Sequence, residues 1–382
     1  MSKAQPPTAQ LDERVMRLLR ESRMIIISGP GGVGKTTSAA ALGVLAARHL
    51  AKRVLVLTVD PARRLATALG LSSLGNTEVP VQLANAQGTL AMAMIDTKAS
   101  WDDMMRRHAP DTATCERILR NDLYKTLTSR FVHSHDYVVT ERLFDAREGG
   151  AYDLVIVDTP PSRSALSVLD APRRMEQFFS SRLLKLLTAP TQSRLLSIAS
   201  RPFFIVADRI LGAAFLTDIA EFFTLFRTME RPIVARARRV GELLSDEATA
   251  YVVVTSAESV AMREAKFLVD ELRSRRHRLE VVLANRLLPS HIAAQASERA
   301  ALLEQHADAR VRALAAAERE IAEVAVRQAA ALRQIVGFSA DVVVSETRNG
   351  DITDVDALLG LAESMSLLPS PPQGSPSGNN GR

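Results

Sequence analysis

Cysteine is the scarcest chemistry in this chain, with Cys115 standing alone among 382 residues. A single thiol excludes an intramolecular disulfide and any metal site built on two or more thiolates from one chain, which predicts a reducing compartment. The expected role of Cys115 is that of a buried structural residue. Long apolar runs are missing as well. No stretch reaches the roughly 18 consecutive apolar residues a membrane-spanning helix needs, and the charge-free segment 79–95 is broken by Gln82, Asn85, Gln87 and Gly88. Charge of one sign is also in short supply. Lys plus Arg is 48 against 43 Asp plus Glu, a net +5, too thin an excess over so large a surface to point to nucleic acid. The polar stretch Met1–Gln10 has no apolar run after Lys3, so no secretory signal is expected and a cytoplasmic location is.

What is present is ordinary globular material, 47% hydrophobic and 24% charged. At roughly 100–200 residues per domain, the length predicts two or three structural units. Short apolar runs at 24–28, 53–59, 90–95, 153–157, 251–254 and 280–284 read as strands. Helical text separates them, at Gly34–Leu50 and Ser259–Arg275 among others. This alternation predicts an α/β fold with a mainly parallel sheet flanked by helices. Two stretches break the rhythm. Residues 171–244 read as several helices and hold eight of the twelve phenylalanines, Phe178, Phe179, Phe203, Phe204, Phe215, Phe222, Phe223 and Phe226, with twelve basic against six acidic residues. Residues 297–334 are Ala-rich and charged, and read as one or two exposed helices. The expected organisation is a core in two parts, 1–170 and 246–368, an α-helical insertion at 171–245, and a disordered Ser/Pro/Gly tail at 369–382.

Gly29-Pro30-Gly31-Gly32-Val33-Gly34-Lys35-Thr36 fits G-x-x-x-x-G-K-[ST], and Thr37 follows. Glycines there let successive N–H groups face one anionic centre, reinforced by the start of a helix. Lys35 would reach the β- and γ-phosphates of a nucleotide, and the Thr36 hydroxyl would ligate Mg²⁺. A strand leads into this loop and a helix leaves it, the context a P-loop NTPase requires. Asp158 ends the strand text DLVIV and suits a Mg²⁺ site at the carboxyl end of a parallel strand, a helix N-cap being the plainer alternative. Asp60 takes the matching place after the second strand. It could orient or deprotonate an attacking water, or cap a helix.

In these segments the chain resembles the ArsA-like family of arsenite-pump and tail-anchored-protein-targeting ATPases. The likeness rests on GPGGVGKTT at 29–37, TVDPARRLATALG at 58–70, YDLVIVDTPPSRSALSVLDAPRR at 152–174, VTSAESVAMREAKFLVDEL at 254–272 and ANRLLP at 284–289. It is nearest to a bacterial branch with DTPPSR in the second switch. The resemblance implies an ATP- and Mg²⁺-dependent ATPase working as a dimer with facing nucleotide sites, in which hydrolysis opens and closes the pair. It assigns water activation to Asp60 in a first switch, Mg²⁺ contact to Asp158 in a second, and the adenine to Asn285, which on its own reads as a turn residue.

Departures from the family pattern narrow the expectation. Where the family carries a lysine that reaches the partner's ATP, this chain has Pro30, without charge or N–H. The chain is therefore either an ATPase acting on a hydrophobic protein client or membrane partner, or a low-activity regulatory subunit paired with a lysine-bearing paralogue. One cysteine cannot build a three-sulfur arsenite site, and the C-x-x-C zinc pair of the targeting members is missing. The Phe-rich insertion could line a client groove or fill its own core. His133-Ser-His135-Asp136 has the look of a metal-binding fragment, but no further ligands lie nearby at suitable spacing.

Overall fold

The computed structural model describes residues 11–59, 66, 69, 71, 75–130, 135–181, 184, 213–338, 340–348 and 350–368. The first half runs α1 (Glu13–Glu21), β1 (Met24–Ser28), α2 (Lys35–His49), β2 (Arg53–Thr58), β3 (Val79–Val81) and β4 (Thr89–Met94). Four helices follow, α3 (Thr97–His108), α4 (Thr112–Arg120), α5 (Asp122–Arg130) and α6 (His135–Glu148), then β5 (Leu154–Asp158). Next come α7 (Ser162–Ser180), α8 (Ala213–Arg227), α9 (Glu230–Leu244), β6 (Thr249–Ser256), α10 (Ser259–Ser274) and β7 (Leu279–Leu287). The chain closes with α11 (Ser290–Ala293), α12 (Ala296–Glu304), α13 (Ala309–Ala313), α14 (Ala315–Val336), β8 (Asp341–Glu346), α15 (Val355–Glu363) and β9 (Ser366–Leu367).

Nine strands form one sheet in the order β3-β4-β2-β5-β1-β6-β7-β8-β9. Only the edge strands β3 and β9 pair antiparallel; every other neighbour is parallel. Every residue of β1 and β5 is buried, as expected of parallel strands covered on both faces. Successive side chains divide between the two faces. Ile25, Ile27, Val54, Val56, Leu154 and Ile156 pack into one apolar cluster with α1, α2 and α15. Met24, Ile26, Leu55, Leu57, Val155 and Val157 pack into the other, with α6, α9 and α10. The six strands expected from sequence are present, and β3, β8 and β9 extend the sheet.

A third apolar cluster lies away from the sheet. It gathers Trp101, Met104 and Met105 of α3, Ile118 of α4, Tyr124 of α5, Phe179 of α7, Phe222 and Phe226 of α8, and Met229 and Ile233 beyond them. The helical body therefore draws on residues 97–148 as well as on the stretch after 171. Two of its ring pairs stack, with centroids 5.2 Å apart for Phe179–Phe226 and 5.5 Å for Phe222–Phe226, and others meet edge to face. Of the phenylalanines singled out above, Phe179, Phe222 and Phe226 are buried in this core, while Phe178 and Phe223 are half-buried against it. Phe203, Phe204, the side chain of Phe215 and the tail 369–382 lie outside the described residues. Cys115 is buried in the same cluster, where burial pushes its thiol pKa up.

Candidate nucleotide site

The sheet order places β1 between β5 and β6, while the chain itself travels from β1 outward to β2. Such a reversal opens a crevice at the carboxyl ends of the strands, where α/β sheets bind ligands. The loop at 29–34 occupies it. At Gly29 a Cβ would stand 2.1 Å from the Val254 carbonyl oxygen of β6, so only glycine lets the loop pass so close to the neighbouring strand. Gly34 has φ +95°, and a Cβ there would stand 2.5 Å from Asn285 Nδ2. Its left-handed conformation turns the chain into α2, whose first turn has no side-chain cap and whose positive dipole end opens toward the loop.

Lys35, the first residue of α2, is only 7% exposed, and its Nζ donates to the Pro30 carbonyl at 3.0 Å. A buried ammonium held across the loop is placed to meet anionic oxygens. Asp158 ends β5 in register with Ile27 of β1 and Thr58 of β2. Its Oδ2 accepts from Thr36 Oγ1 at 2.5 Å and from Thr58 Oγ1 at 3.0 Å. Next along the chain, Thr159 donates from Oγ1 to the Ile27 carbonyl at 2.8 Å, pinning the segment that leads through Pro161 into α7. Thr58 and Thr159 went unnoticed in the sequence. The available signal was a threonine at or just past the carboxyl end of a buried strand.

The donors collected at Thr36, Asp158 and Thr58 are all oxygen, the ligand type a hard cation such as Mg²⁺ takes. Among the described residues no group of three or more His, Cys, Asp or Glu side chains could hold a metal ion. Mg²⁺ is bound through one or two protein groups together with substrate phosphates, and Thr36 and Asp158 offer such a pair of oxygen donors. The residues present therefore fit the ion.

Asn285, on β7, lies directly beneath the loop at 7% exposure. Its Nδ2 donates to the Val33 carbonyl at 2.8 Å, and its Oδ1 accepts from the Arg286 N–H at 2.9 Å. Arg286 adopts φ 60°, a left-handed turn as the chain passes the site. Gly31 and Gly32 are exposed, Thr37 is half-buried and Val33 is buried. Asp60 lies outside the described residues; its neighbour Val59 donates its N–H to the Asp158 carbonyl at 3.3 Å. His133 and the side chain of His135 likewise lie outside them, while Asp136 stands 4.0 Å from Arg174.

Residues 22–336 match the sequence model of a family described as anion-transporting ATPases. The chain belongs to the anion-transporting ATPase family. Its enzyme class is that of an ATPase, and the phosphate loop and mostly parallel sheet are those of an α/β P-loop NTPase. Among relatives of this family member, an uncharacterized protein of Streptomyces coelicolor is 29% identical over 70% of the chain, and the match spans 63% of that protein's length. An ATPase named get3 from Pyrenophora tritici-repentis is 25% identical over 74% of the chain and 77% of its own length. A putative arsenical pump-driving ATPase of Aquifex aeolicus is 25% identical over 70% of the chain and 81% of its own. Among the described residues, no helix of this ATPase is long and apolar enough to cross a membrane.

Proposed function

We propose that the chain is a cytoplasmic, Mg²⁺-dependent ATPase of the ArsA-like bacterial branch, coupling ATP binding and hydrolysis to opening and closing of a dimer. Through residues 171–245 it handles a hydrophobic protein client or a membrane partner. The observation that carries this reading is the meeting of Thr36 Oγ1 and Asp158 Oδ2, 2.5 Å apart beside a glycine loop and a helix start. Gly29, Gly31, Gly32, Val33, Gly34 and Thr37 present backbone N–H groups to the triphosphate. Lys35 exchanges the Pro30 carbonyl for β- and γ-phosphate oxygens. Thr36 and Asp158 hold Mg²⁺, which when bound neutralises phosphate charge as the terminal phosphoryl leaves. Asp60 orients the attacking water and takes its proton. Asn285 receives the adenine, its Nδ2 exchanging the Val33 carbonyl for the base. Since α7 begins four residues after Asp158 and ends in the aromatic cluster, a shift at Asp158 has a rigid route into the helical body.

Pro30 favours a second reading. Losing a trans cation of the kind the family uses would slow hydrolysis by roughly 10³–10⁵, by analogy with arginine fingers. In that case the chain is the low-activity nucleotide-binding subunit of a heterodimer with a lysine-bearing paralogue.

Calorimetric titration of ATP and Mg²⁺ tests the core of the proposal. Saturable heat is expected from the parent, with binding about 100-fold weaker or lost in Lys35→Ala, because a charge-assisted contact is removed from a buried site. A folded parent that takes up no ATP overturns it. Asp60→Asn should bind ATP as the parent does while turning over about 10²-fold or more slowly; an unchanged rate removes the role given to Asp60. Brisk turnover by the isolated chain removes the need for a paralogue.

A further inference from the structure

The helix α14 is 22 residues long, yet only Ala315 and Ile335, one near each end, are buried. Val326, at its midpoint, is 67% exposed. A groove runs along each side of this crest. One, of about 730 Å³, lies toward α10 and is lined by Val260 and Val324. The other, of about 470 Å³, lies toward α12 and is lined by Ser297 and Ala322, and Arg327 borders both. Val260, Leu302 of α12 and Leu314, which precedes α14, are each more than half exposed. Apolar side chains left open on neighbouring helices and rimmed by charge mark an association surface. A helix of this length spans about 33 Å, and a neighbour on each side at about 8–10 Å makes the face about 25 Å wide. That is roughly 800 Å², what one partner contributes to a stable interface.

The charges on α14 select the partner. Its first eleven residues hold Glu318, Arg319, Glu320 and Glu323, while its last eleven hold only Arg327 and Arg333. Glu318 is engaged by Arg299 at 2.9 Å, and Arg319 by Glu304 at 3.1 Å. Two acids are therefore left in one half and two bases in the other. Glu320 and Arg333 are exposed with no ion pair among the described residues. Glu323 and Arg327 stand 3.5 Å apart on the exposed surface, a weak pair that exchanges readily. A helix carrying both halves of its own complement fits a second copy laid antiparallel across a two-fold axis.

We propose that α14 pairs in this way with α14 of a second copy, forming a seam that holds two chains together without nucleotide. Glu323 then meets Arg327 of the other copy, Glu320 meets Arg333, and the two Val326 side chains meet near the axis. Each crest enters a groove of the other copy. A parallel pairing sets acid on acid and base on base, which the charge pattern rejects. The seam goes beyond the nucleotide-driven opening and closing proposed above and requires none of it.

Sedimentation of the full chain without nucleotide is expected to give twice the mass of one chain at micromolar concentration. Arg327→Glu with Arg333→Glu should weaken association about 100-fold or more, because like charges then face each other. Glu320→Lys with Glu323→Lys should do the same, yet an equimolar mixture of the two double variants should associate as the parent does. Val326→Cys gives a second reading. Cys115 is buried, so mild oxidation should join two copies through residue 326, whereas Glu13→Cys, at an exposed place on α1, should stay unlinked. Thermal unfolding establishes that each variant is folded. A parent that is monomeric overturns the seam. One that pairs only when ATP is added also overturns it, while leaving the nucleotide reading intact. So does a dimer indifferent to the charge reversals, or a Val326→Cys variant that cross-links no faster than Glu13→Cys.

Discussion

Asn285 shows how much one side chain at this site is asked to do. Its amide donates to the Val33 carbonyl and accepts from the Arg286 N–H, so it ties β7 to the floor of the phosphate loop. A base contact requires that same Nδ2 to change partners. The two roles separate experimentally. If Asn285 reads the base, Asn285→Ala should weaken ATP by about tenfold, the size of one or two hydrogen bonds, while leaving a nucleotide with a different base less affected. Equal weakening for ATP and GTP, measured by competition, would leave only the brace. Asp158 is simpler. It is 1% exposed and accepts from two threonine hydroxyls, the pattern of a carboxylate held in place to serve something outside the side-chain network.

Among the elements, α7 connects the most distant parts. It starts after Thr159, tethered to β1, and its far end delivers Phe178 and Phe179 to the aromatic cluster. Pro172 lies inside it, so the helix tolerates a missing N–H in its interior. In α8, Phe226 is 4% exposed and stacks on both Phe179 and Phe222. Phe226→Ala should therefore cost about 3–5 kcal/mol of stability, the usual range for emptying a buried aromatic site. Denaturant unfolding checks this, and the variant should still take up ATP, because its cluster is separate from the one beneath the loop. A loss below about 1 kcal/mol would show that the helical body repacks freely around the gap.

For the molecule as a whole, acid stability should depend on the seam between α3, α6 and α9. There Arg107 pairs with Asp145 at 2.7 Å, and Arg236 pairs with Glu141 at 3.0 Å and also with Asp145. Tyr137 donates to Glu141 at 2.6 Å, and burial raises the pKa of that carboxyl. His108 closes α3 beside this network. Burial, with Arg107 and Arg236 nearby, lowers its pKa to about 4 from 6.5, only partly opposed by Asp145. Between those values the unfolded chain binds a proton that the folded chain refuses. The stabilisation is therefore complete above pH 6.5 and is lost as pH falls through that window toward 4. About 1–3 kcal/mol is at stake. Unfolding at pH 7.5 and 4.5 should show a smaller acid loss in His108→Gln than in the parent; identical losses would clear His108 of the effect.

Local text determined the nucleotide loop and the central strands. Glycine spacing, β-branched runs and helix starts act over a few residues, and their chemistry is the same in any context. The chain alone thus pointed to Lys35, Thr36 and Asp158, and to a parallel sheet. Other decisions came only with the tertiary structure. The apolar run at 342–344 became a strand because β7 was there to pair with it, and the antiparallel edges depend on the same kind of partner. Thr58 became a holder of Asp158 only through strand register. The phenylalanines after residue 171 could have faced a client or one another. Helices from residues 97–148 closed over Phe179, Phe222 and Phe226, because burying aromatic surface needs neighbours that lie far away along the chain.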